Sequence, residues 1–337
     1  MIIEYPSYYE KFRCIGGRCP DTCCAGWEVD VDEASSAYYR SVEGAFGDTL
    51  RAHIREEDGD CFFPLTKEGR CPFLRKDLLC EMYIQLGEES LCQTCTEYPR
   101  YFMDIGNYEQ IDMSLSCMEL GRIFFTEYDR IEYIRSENEI PGEEISEEEQ
   151  ETLIEVLALR NRCIELLQNH GGVFLDAWQA VRALVAEAQG LDPKEADAER
   201  NYLKEDFPAL VELMKHLDSL RPEWDALVEG YEQNCRDPHF LDPLPQFMQE
   251  EAAQLDRWFT KLAVYFTYRY FIDTCIDGDI EIELCLVHRS LMMILLMLYS
   301  RWTEQQQIDV SDIIDVAHLF SKEVEHDEGN VELLKTR

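Results

Sequence analysis

The stretch SENEIPGEEISEEEQ, residues 136–150, divides the chain into two parts of different character. It combines acidic residues with a Pro-Gly pair, a composition typical of a connection between folded units. Its end places Ser146 and Glu149 at the spacing of a capping box, in which both side chains satisfy free N–H groups in the first turn of a helix. The stretch therefore predicts a linker followed by a helix, and two domains, residues 1–130 and 147–337.

Downstream of this stretch, the pattern is helical. Apolar residues recur at the spacing of one helical face, at Leu153, Val156, Leu157, Ile164 and Leu167. Asp192-Pro193 is a further helix start, with proline at the first helical position. The most apolar run, residues 284–299, contains His288 and Arg289, and a membrane span needs about twenty mostly apolar residues. We expect a buried helix there, and a C-terminal helical bundle with little strand after about residue 147.

Upstream, short strand-like runs alternate with helical ones. Strand patterns occur at Trp27–Val31 and Cys61–Leu65, and RYFMDIGNYEQIDMSL (residues 100–115) predicts two strands joined at Gly106-Asn107. Helical stretches are expected at Glu33–Ile54 and at Leu78–Gly87, where the glycine would end the helix. The predicted fold is mainly α, with a cysteine-rich α+β N-terminal portion that binds a metal or cluster, followed by the helical bundle.

The charge of the chain limits its partners. It has 69 acidic and 31 basic residues, a formal net charge of −38. Binding to a nucleic-acid backbone needs basic patches, so we expect no nucleic-acid partner. Long-range attraction would favour a cationic partner such as a lysine-bearing protein, although a simply solvated surface is the alternative. The first 14 residues lack an apolar secretory core, so we expect a cytoplasmic protein that does not enter a membrane.

Ten of the 14 cysteines fall within the first 117 residues. Nine of them form two spaced groups and one outlier: Cys14, Cys19, Cys23 and Cys24; Cys71, Cys80, Cys92 and Cys95; and Cys117. Dense thiolates without matching histidines suit zinc or an iron–sulfur cluster, and these nine are the candidate ligands. Buried thiols that only pack are the alternative, and Cys61 is expected to be one of these.

Three segments carry a family resemblance: FRCIGGRCPDTCCAGWEVDVD (12–32), CPFLRKDLLCEMYIQLGEESLCQTCTEYPRYF (71–102) and LSCMELGR (115–122). Together they resemble the flagellin lysine-N-methylase family, within a broader group of cysteine-rich proteins that chelate zinc or iron. The resemblance implies methyl transfer from S-adenosylmethionine to lysines of flagellin, a protein partner with exposed lysines. It also implies a [4Fe–4S] cluster, with zinc as the alternative, held by ligands among the nine cysteines.

The chain offers no local signature for the methyl donor. The CxxxCxxC pattern of radical S-adenosylmethionine enzymes is absent, because Gly26 stands where its third cysteine would follow Cys19 and Cys23. A glycine-rich nucleotide loop is absent as well. The candidate cofactor-binding residues are the rings of Trp27 and Tyr98, which could hold a sulfonium cation, and Arg100, which could pair with its carboxylate. Core packing for Trp27 and an internal ion pair for Arg100 are the alternatives.

We expect an enzyme, a protein-lysine N-methyltransferase, and assign no catalytic residue. Two other classes stay open: a non-enzymatic zinc or iron–sulfur protein whose metal is structural, and a redox or electron-transfer protein. His288 is read as a core residue rather than a base. The aromatic run at residues 258–271 is expected in the core, with a substrate groove as the alternative.

Overall fold

Two small sheets and a large set of helices make up the chain. The computed structural model describes residues 1–200 and 207–336, and it is mainly helical, as predicted. The strands in these residues are β1 (Ile2–Pro6), β2 (Val29–Asp30), β3 (Arg55–Glu57), β4 (Asp60–Phe63), β5 (Arg100–Ile105), β6 (Tyr108–Met113) and β7 (Tyr133–Glu137). None of the described residues after β7 forms a strand, which confirms the expectation for the C-terminal part.

The helices follow the same chain order. Those of the N-terminal part are α1 (Glu33–Ser41), α2 (Gly44–His53), α3 (Glu81–Leu86), α4 (Gln93–Glu97) and α5 (Met118–Thr126). Those of the remainder are α6 (Glu147–Asn169), α7 (Phe174–Ala188), α8 (Pro193–Glu199), α9 (Phe207–Met214), α10 (Pro222–Arg236), α11 (Leu244–Glu250), α12 (Ala252–Tyr270), α13 (Thr274–Asp277), α14 (Ile280–Gln305), α15 (Val310–Phe320) and α16 (Glu328–Lys335). A π-helical segment, Ser321–Glu325, joins α15 to α16.

The larger sheet has the strand order β5-β6-β1-β7. β1 runs parallel to β6, and the other neighbours are antiparallel. The predicted hairpin is confirmed: β5 and β6 pair from Arg100 opposite Met113 to Ile105 opposite Tyr108. Gly106 turns the chain with a φ of +57°, a left-handed conformation that glycine adopts without a steric penalty.

The smaller sheet, β2-β4-β3, and α1 to α4 enclose a core of their own. Tyr39, Phe63 and Phe73 are among its buried side chains. The helix predicted at Glu33–Ile54 is two helices, because the chain leaves helical geometry at Val42 and Glu43 before α2 begins. The helix predicted at Leu78–Gly87 is shorter, and it ends before Gly87, whose φ is +92°.

Most of the protein shares one large hydrophobic core. Tyr8, Met113 and Phe124 from the N-terminal part pack in the same cluster as the helices that follow α6. The helix α14 is long and apolar enough to cross a membrane, but 89% of its most apolar stretch is buried in the protein, as predicted. Residues 138–146 form neither helix nor strand, and Ile145 lies against Gly106 of the hairpin. The two-domain division stays a prediction.

Candidate functional site

The nine candidate ligand cysteines lie in two neighbouring groups. We call Cys14, Cys19, Cys23 and Cys117 the outer thiol set, and Cys24, Cys71, Cys80, Cys92 and Cys95 the inner thiol set. None of the nine is in a disulfide in the described part of the chain. Their role as metal ligands stays a prediction, and the described residues contain no group of three or more His, Cys, Asp or Glu side chains arranged to hold a metal ion.

The outer thiol set brings the first cysteine motif to the start of α5. A short 3-10 turn, Gly16–Arg18, separates Cys14 from Cys19. Cys117 lies 94 positions after Cys23 in the sequence and immediately precedes α5, yet the thiols of Cys14 and Cys117 are both electrostatic neighbours of the Cys23 thiol. Burial raises the pKa of Cys117 to about 12, so this thiol keeps its proton at neutral pH in the absence of a stabilising charge.

The inner thiol set surrounds the edge of the small core. The Cys71 N–H donates to the carbonyl of Cys24 over 2.8 Å, and Leu74 forms an isolated β-bridge with Cys80. The Cys71 thiol has those of Cys24, Cys80 and Cys92 as electrostatic neighbours. The thiols of Cys92 and Cys95 are hydrogen-bonded to each other, which holds the pKa of Cys92 below its usual range. Two distant motifs of the sequence are therefore joined here.

The adjacent residues Cys23 and Cys24 belong to different sets. Their thiols are hydrogen-bonded, which lowers the pKa of Cys24, and the Lys322 ammonium lowers it further. The two sets therefore meet at this single peptide unit, beside a cation from the C-terminal end of the chain.

Half-buried rings gather next to the outer thiol set. We call Trp27, Tyr98, Tyr101 and His326 the aromatic–histidine cluster. The rings of Trp27 and His326 are stacked with their centroids 4.8 Å apart, and Trp27 and Tyr98 are 5.9 Å apart. His326 directly follows the π-helical segment, a type of irregularity that is frequent at functional sites.

Both ring nitrogens of His326 are hydrogen-bonded. The Tyr101 hydroxyl lies 2.9 Å from Nδ1, and the Ser116 hydroxyl lies 2.7 Å from Nε2. Burial, and then the positive charges of Arg269 and Lys322, lower the pKa of His326 to about 3. The imidazole is therefore neutral at physiological pH, and it adds no positive charge beside the Trp27 ring.

A buried ion network lies behind the aromatic–histidine cluster. The Arg269 guanidinium binds Asp112 and Glu325, each at 3.1 Å, and covers the Tyr101 ring at 3.9 Å. The hydroxyl of Tyr270 donates to Glu325 over 2.8 Å. Burial raises the pKa of Asp112 to about 6 despite Arg269. This network fixes both β6 and the end of the π-helical segment.

Asp21 attaches the loop that carries Cys14 to Cys24, which we call the cysteine loop, to the C-terminal helices. Its carboxylate accepts hydrogen bonds from Lys322 Nζ and His318 Nε2, both at 2.8 Å, and Lys322 also donates to the Thr22 carbonyl at 2.9 Å. Burial alone would raise the pKa of Asp21, but these hydrogen bonds hold it well below its usual range. The Lys322 ammonium also lies 5.1 Å from the centre of the Trp27 ring.

The structure brings together two of the three predicted cofactor-binding residues. Trp27 and Tyr98 are neighbours in the aromatic–histidine cluster. Arg100 lies elsewhere: its guanidinium covers the rings of Tyr9 and Phe12, at 5.2 and 5.5 Å. It also lines a surface cavity of about 510 Å³ together with Gln93, Glu97, Tyr101, Phe102, Asp104 and Glu109.

Two residues and one aromatic run that the sequence assigns to the core lie as expected. His288 is buried, and its Nδ1 accepts a hydrogen bond from Trp178 at 3.1 Å. The aromatic run around Trp258 is buried in the large core. Cys61 packs against the small core, and its sulfur lies 3.3 Å from the Ser36 hydroxyl. His326 and Lys322 lie outside every motif of the sequence, and Asp21, although it lies within the first cysteine-rich segment, was not predicted as a site residue.

A protein-family model matches the C-terminal part of the chain. The FliB lysine N-methylase C-terminal domain matches residues 142–336, a range that includes α6 to α16, Lys322 and His326. No solved structure matches the chain.

Curated relatives match over a shorter length. The chain is 28% identical over 127 residues to a Lysine-N-methylase of Salmonella typhimurium and 29% identical over 127 residues to one of Salmonella choleraesuis. Each match spans 36% of this chain and 31% of the relative, so the chain spans about a third of these proteins. It is also 29% identical over 130 residues to the Flagellar biosynthetic protein FliU of Salmonella muenchen, covering 36% of this chain and 75% of FliU. The family expected from the cysteine motifs is confirmed: the chain belongs to the FliB lysine N-methylase family.

Proposed function

We propose that this protein is a cytoplasmic, S-adenosylmethionine-dependent protein-lysine N-methyltransferase that carries a thiolate-bound [4Fe–4S] cluster and acts on a flagellin-type protein. One observation carries the proposal. Trp27 and Tyr98, from the cysteine-rich motifs, contact His326, from the region matched by the lysine N-methylase domain. The two parts of the chain that resemble this family therefore meet at the aromatic–histidine cluster, which supports a shared site.

The chemical type of the candidate ligands supports the metal part of the proposal. All nine candidate ligands are thiols, and cysteine-only ligation is usual for iron–sulfur clusters and for structural zinc. Unpaired thiols in this number also suit a reducing compartment such as the cytoplasm. When bound, a [4Fe–4S] cluster would supply one-electron chemistry and a rigid anchor for the cysteine loops.

The side chains of the aromatic–histidine cluster suit a cationic ligand. A sulfonium and a lysine ammonium are both attracted to the face of a tryptophan or tyrosine ring. The Lys322 ammonium, 5.1 Å from the Trp27 ring centre, shows that this ring attracts a cation, and Asp21 balances its charge at 2.8 Å. The neutral His326 stacked on Trp27 adds no further positive charge. In this proposal, Trp27 and Tyr98 bind the donor, and the ion network behind them keeps the rings in place.

The charge of the protein suits a lysine-bearing partner. A net charge of −38 attracts a protein that presents lysines and repels the backbone of a nucleic acid. The attraction is long-ranged and is screened by salt, so methyl transfer is expected to slow as ionic strength rises.

The test uses the full chain, purified anaerobically and kept reduced. Calorimetry measures binding of S-adenosylmethionine, and peptide mass spectrometry measures methyllysine on added flagellin. Loss of one cation–π contact is worth about 0.5–2 kcal/mol, so Trp27→Ala should weaken donor binding by about 2- to 30-fold. Trp27→Phe, which keeps an aromatic face, should lose less, and circular dichroism should show both variants folded.

The same measurements separate the alternative functions. A protein that holds iron and sulfide but binds no S-adenosylmethionine and forms no methyllysine would be a structural or redox metal protein. That outcome would overturn the proposed methyltransferase activity.

A further inference from the structure

We propose that an extended, lysine-bearing segment of the protein substrate binds along the outer edge of β5, with its basic side chains in the surface cavity beside this strand. The inference rests on the proposed function, because it takes a lysine-bearing protein as the substrate, and it gives that substrate a place on the chain. It concerns how the substrate is held, and no step of methyl transfer is assigned to this surface.

β5 lies at the edge of the larger sheet. Within the residues that the structure describes, it pairs with β6 on one side and with no strand on the other. The free side of an edge strand presents backbone N–H and C=O groups, to which an extended peptide can add as a further strand. Phe102 of β5 is 41% exposed, so this edge also offers an apolar contact. The edge strand β3 of the smaller sheet differs, because it reads Arg-Glu-Glu and carries only charged side chains.

The cavity of about 510 Å³ beside β5 is acidic. Glu97 of α4, Asp104 of β5 and Glu109 of β6 are among the residues that line it. Arg100 lines it as well, but its guanidinium covers two aromatic rings, at 5.2 and 5.5 Å. A basic segment of the substrate would therefore find carboxylates on more than one wall of this cavity, and Phe102 beside them.

Two of these acids repel each other in the free protein. Asp104 and Glu109 lie directly opposite each other in the antiparallel pair of β5 and β6, an arrangement in which like charges are destabilising. Burial and the charge of Asp104 raise the pKa of Glu109. Neither carboxylate is in an ion pair within the described part of the chain. A lysine ammonium placed between them would offset this repulsion, so the pair favours a basic ligand.

Tyr101 connects the cavity to the aromatic–histidine cluster. It lines the cavity, and its hydroxyl lies 2.9 Å from His326 Nδ1. A segment bound along β5 would therefore lie next to the rings proposed for the methyl donor. A second copy of this chain suits the edge less well, because pairing two β5 strands would bring two acidic cavities together in chains of net charge −38.

The first test measures binding by fluorescence anisotropy, with the full chain and a labelled peptide that carries lysine at alternate positions. The double variant Asp104→Asn/Glu109→Gln should weaken binding by about 2- to 30-fold, because two charge contacts are lost. It should stay folded, since it also removes the repulsion within the pair. The matched control is Glu57→Gln/Asp60→Asn, an opposed pair of exposed acids in β3 and β4, outside the cavity. It removes the same charge and should change binding by less than about two-fold, because distant charges are screened.

The second test measures hydrogen exchange of the backbone amides of the wild type. Bound peptide should slow exchange in residues 100–105 and leave residues 55–57 unchanged. Equal weakening of binding by the two double variants, or no slowing in β5, would overturn the proposed docking site. Slowing in β5 that depends on protein concentration without peptide would also overturn it, because the edge would then pair with a second copy.

Neither test uses S-adenosylmethionine, so the docking site and the proposed activity can fail separately. Peptide binding at β5 without any methyllysine on added flagellin would overturn the methyltransferase activity and support the docking site. Methylation at equal rates by the wild type and Asp104→Asn/Glu109→Gln at low flagellin concentration would support the activity and overturn the docking site.

Discussion

At the scale of single residues, Asp21 is the main connection between the cysteine loop and the C-terminal helices. Its carboxylate is shared by Lys322 and His318, and Arg221 lies 3.6 Å away. The Lys322 side chain is only 2% exposed, so it depends on this partner for its charge to be balanced. A buried ammonium that loses its counter-ion is costly, since it cannot regain its full hydration.

We predict that Asp21→Asn lowers the free energy of unfolding by about 2 kcal/mol, because Lys322 loses its ion pair while the shape of the side chain is kept. Urea unfolding measures this change. The pKa of Asp21 is lower in the folded than in the unfolded chain, so its contribution is present at neutral pH and disappears as the pH falls below about 3.8. Asp30→Asn, an exposed acid in β2, is the control and should cost little. Equal losses for the two variants would contradict the role of Asp21.

Local spacing identified some of the site residues and missed others for a physical reason. Trp27 and Tyr98 lie within cysteine motifs, so they could be selected from the sequence alone. Lys322 contacts Asp21 across 301 positions, and His326 contacts Ser116 across 210. Contacts of that separation depend on the packing of the whole chain, and no helical or strand periodicity encodes them.

At the scale of elements, signals that act within a few residues predicted the structure well. Ser146 and Glu149 form the expected capping box of α6, and the Asp192 side chain caps α8 at Pro193. The break between α1 and α2 and the π-helical segment were not predicted. The first of these falls beside Gly44, whose φ of +82° lies in the left-handed region that favours glycine, so a local signal was present there. The π-helical segment Ser321–Glu325 contains no glycine or proline, and tertiary packing outweighs local propensity there.

The connection between β7 and α6 packs closely against the hairpin between β5 and β6. A Cβ on Gly142 would lie 1.8 Å from the Gly106 carbonyl oxygen, and Ile145 also contacts Gly106. The acidic Pro-Gly stretch is therefore closely packed against the hairpin. The contact requires glycine at both Gly142 and Gly106.

We predict that Gly142→Ala destabilises the protein by about 2–3 kcal/mol, because the added methyl group would force two backbone segments apart. Gly230→Ala is the matched control: Gly230 lies inside α10 with open space around it. That variant should stabilise the protein by about 0.5–1 kcal/mol, since alanine favours a helix interior. Thermal or urea unfolding compares the two, and a neutral Gly142→Ala would show that the connection is loosely attached.

At the scale of the whole molecule, the two parts inferred from composition are joined by shared packing. The linker pattern predicted a boundary, and composition does change there. The sequence pattern could not show that Tyr8, Phe124 and Trp178 would occupy one core, because amphipathic faces do not specify their partners. The site between the two parts has the same origin: the core that brings β1 against α6 also brings the cysteine loop against the π-helical segment.

Glu4 is a charged residue at the contact between the N-terminal part and the helical part. Its carboxylate in β1 pairs with Arg160 of α6, whose side chain is fully buried, and with Arg135 of β7, whose side chain is 53% exposed. Tyr108 also donates its hydroxyl to Glu4 at 2.9 Å. The two arginines thus share one carboxylate and differ in their contact with water.

We predict that Arg160→Met destabilises the protein by about 3–5 kcal/mol, because it leaves the Glu4 carboxylate buried without its nearest charge. Arg135→Met removes the exposed partner of the same carboxylate and should cost about 0–1 kcal/mol. Because the Glu4–Arg160 ion pair joins β1 of the N-terminal part to α6 of the helical part, the loss should appear in one cooperative urea transition. Tryptophan fluorescence and far-ultraviolet circular dichroism should follow it with the same midpoint. Separate transitions, with Arg160→Met affecting only one, would mean that the cysteine-rich and helical parts fold independently.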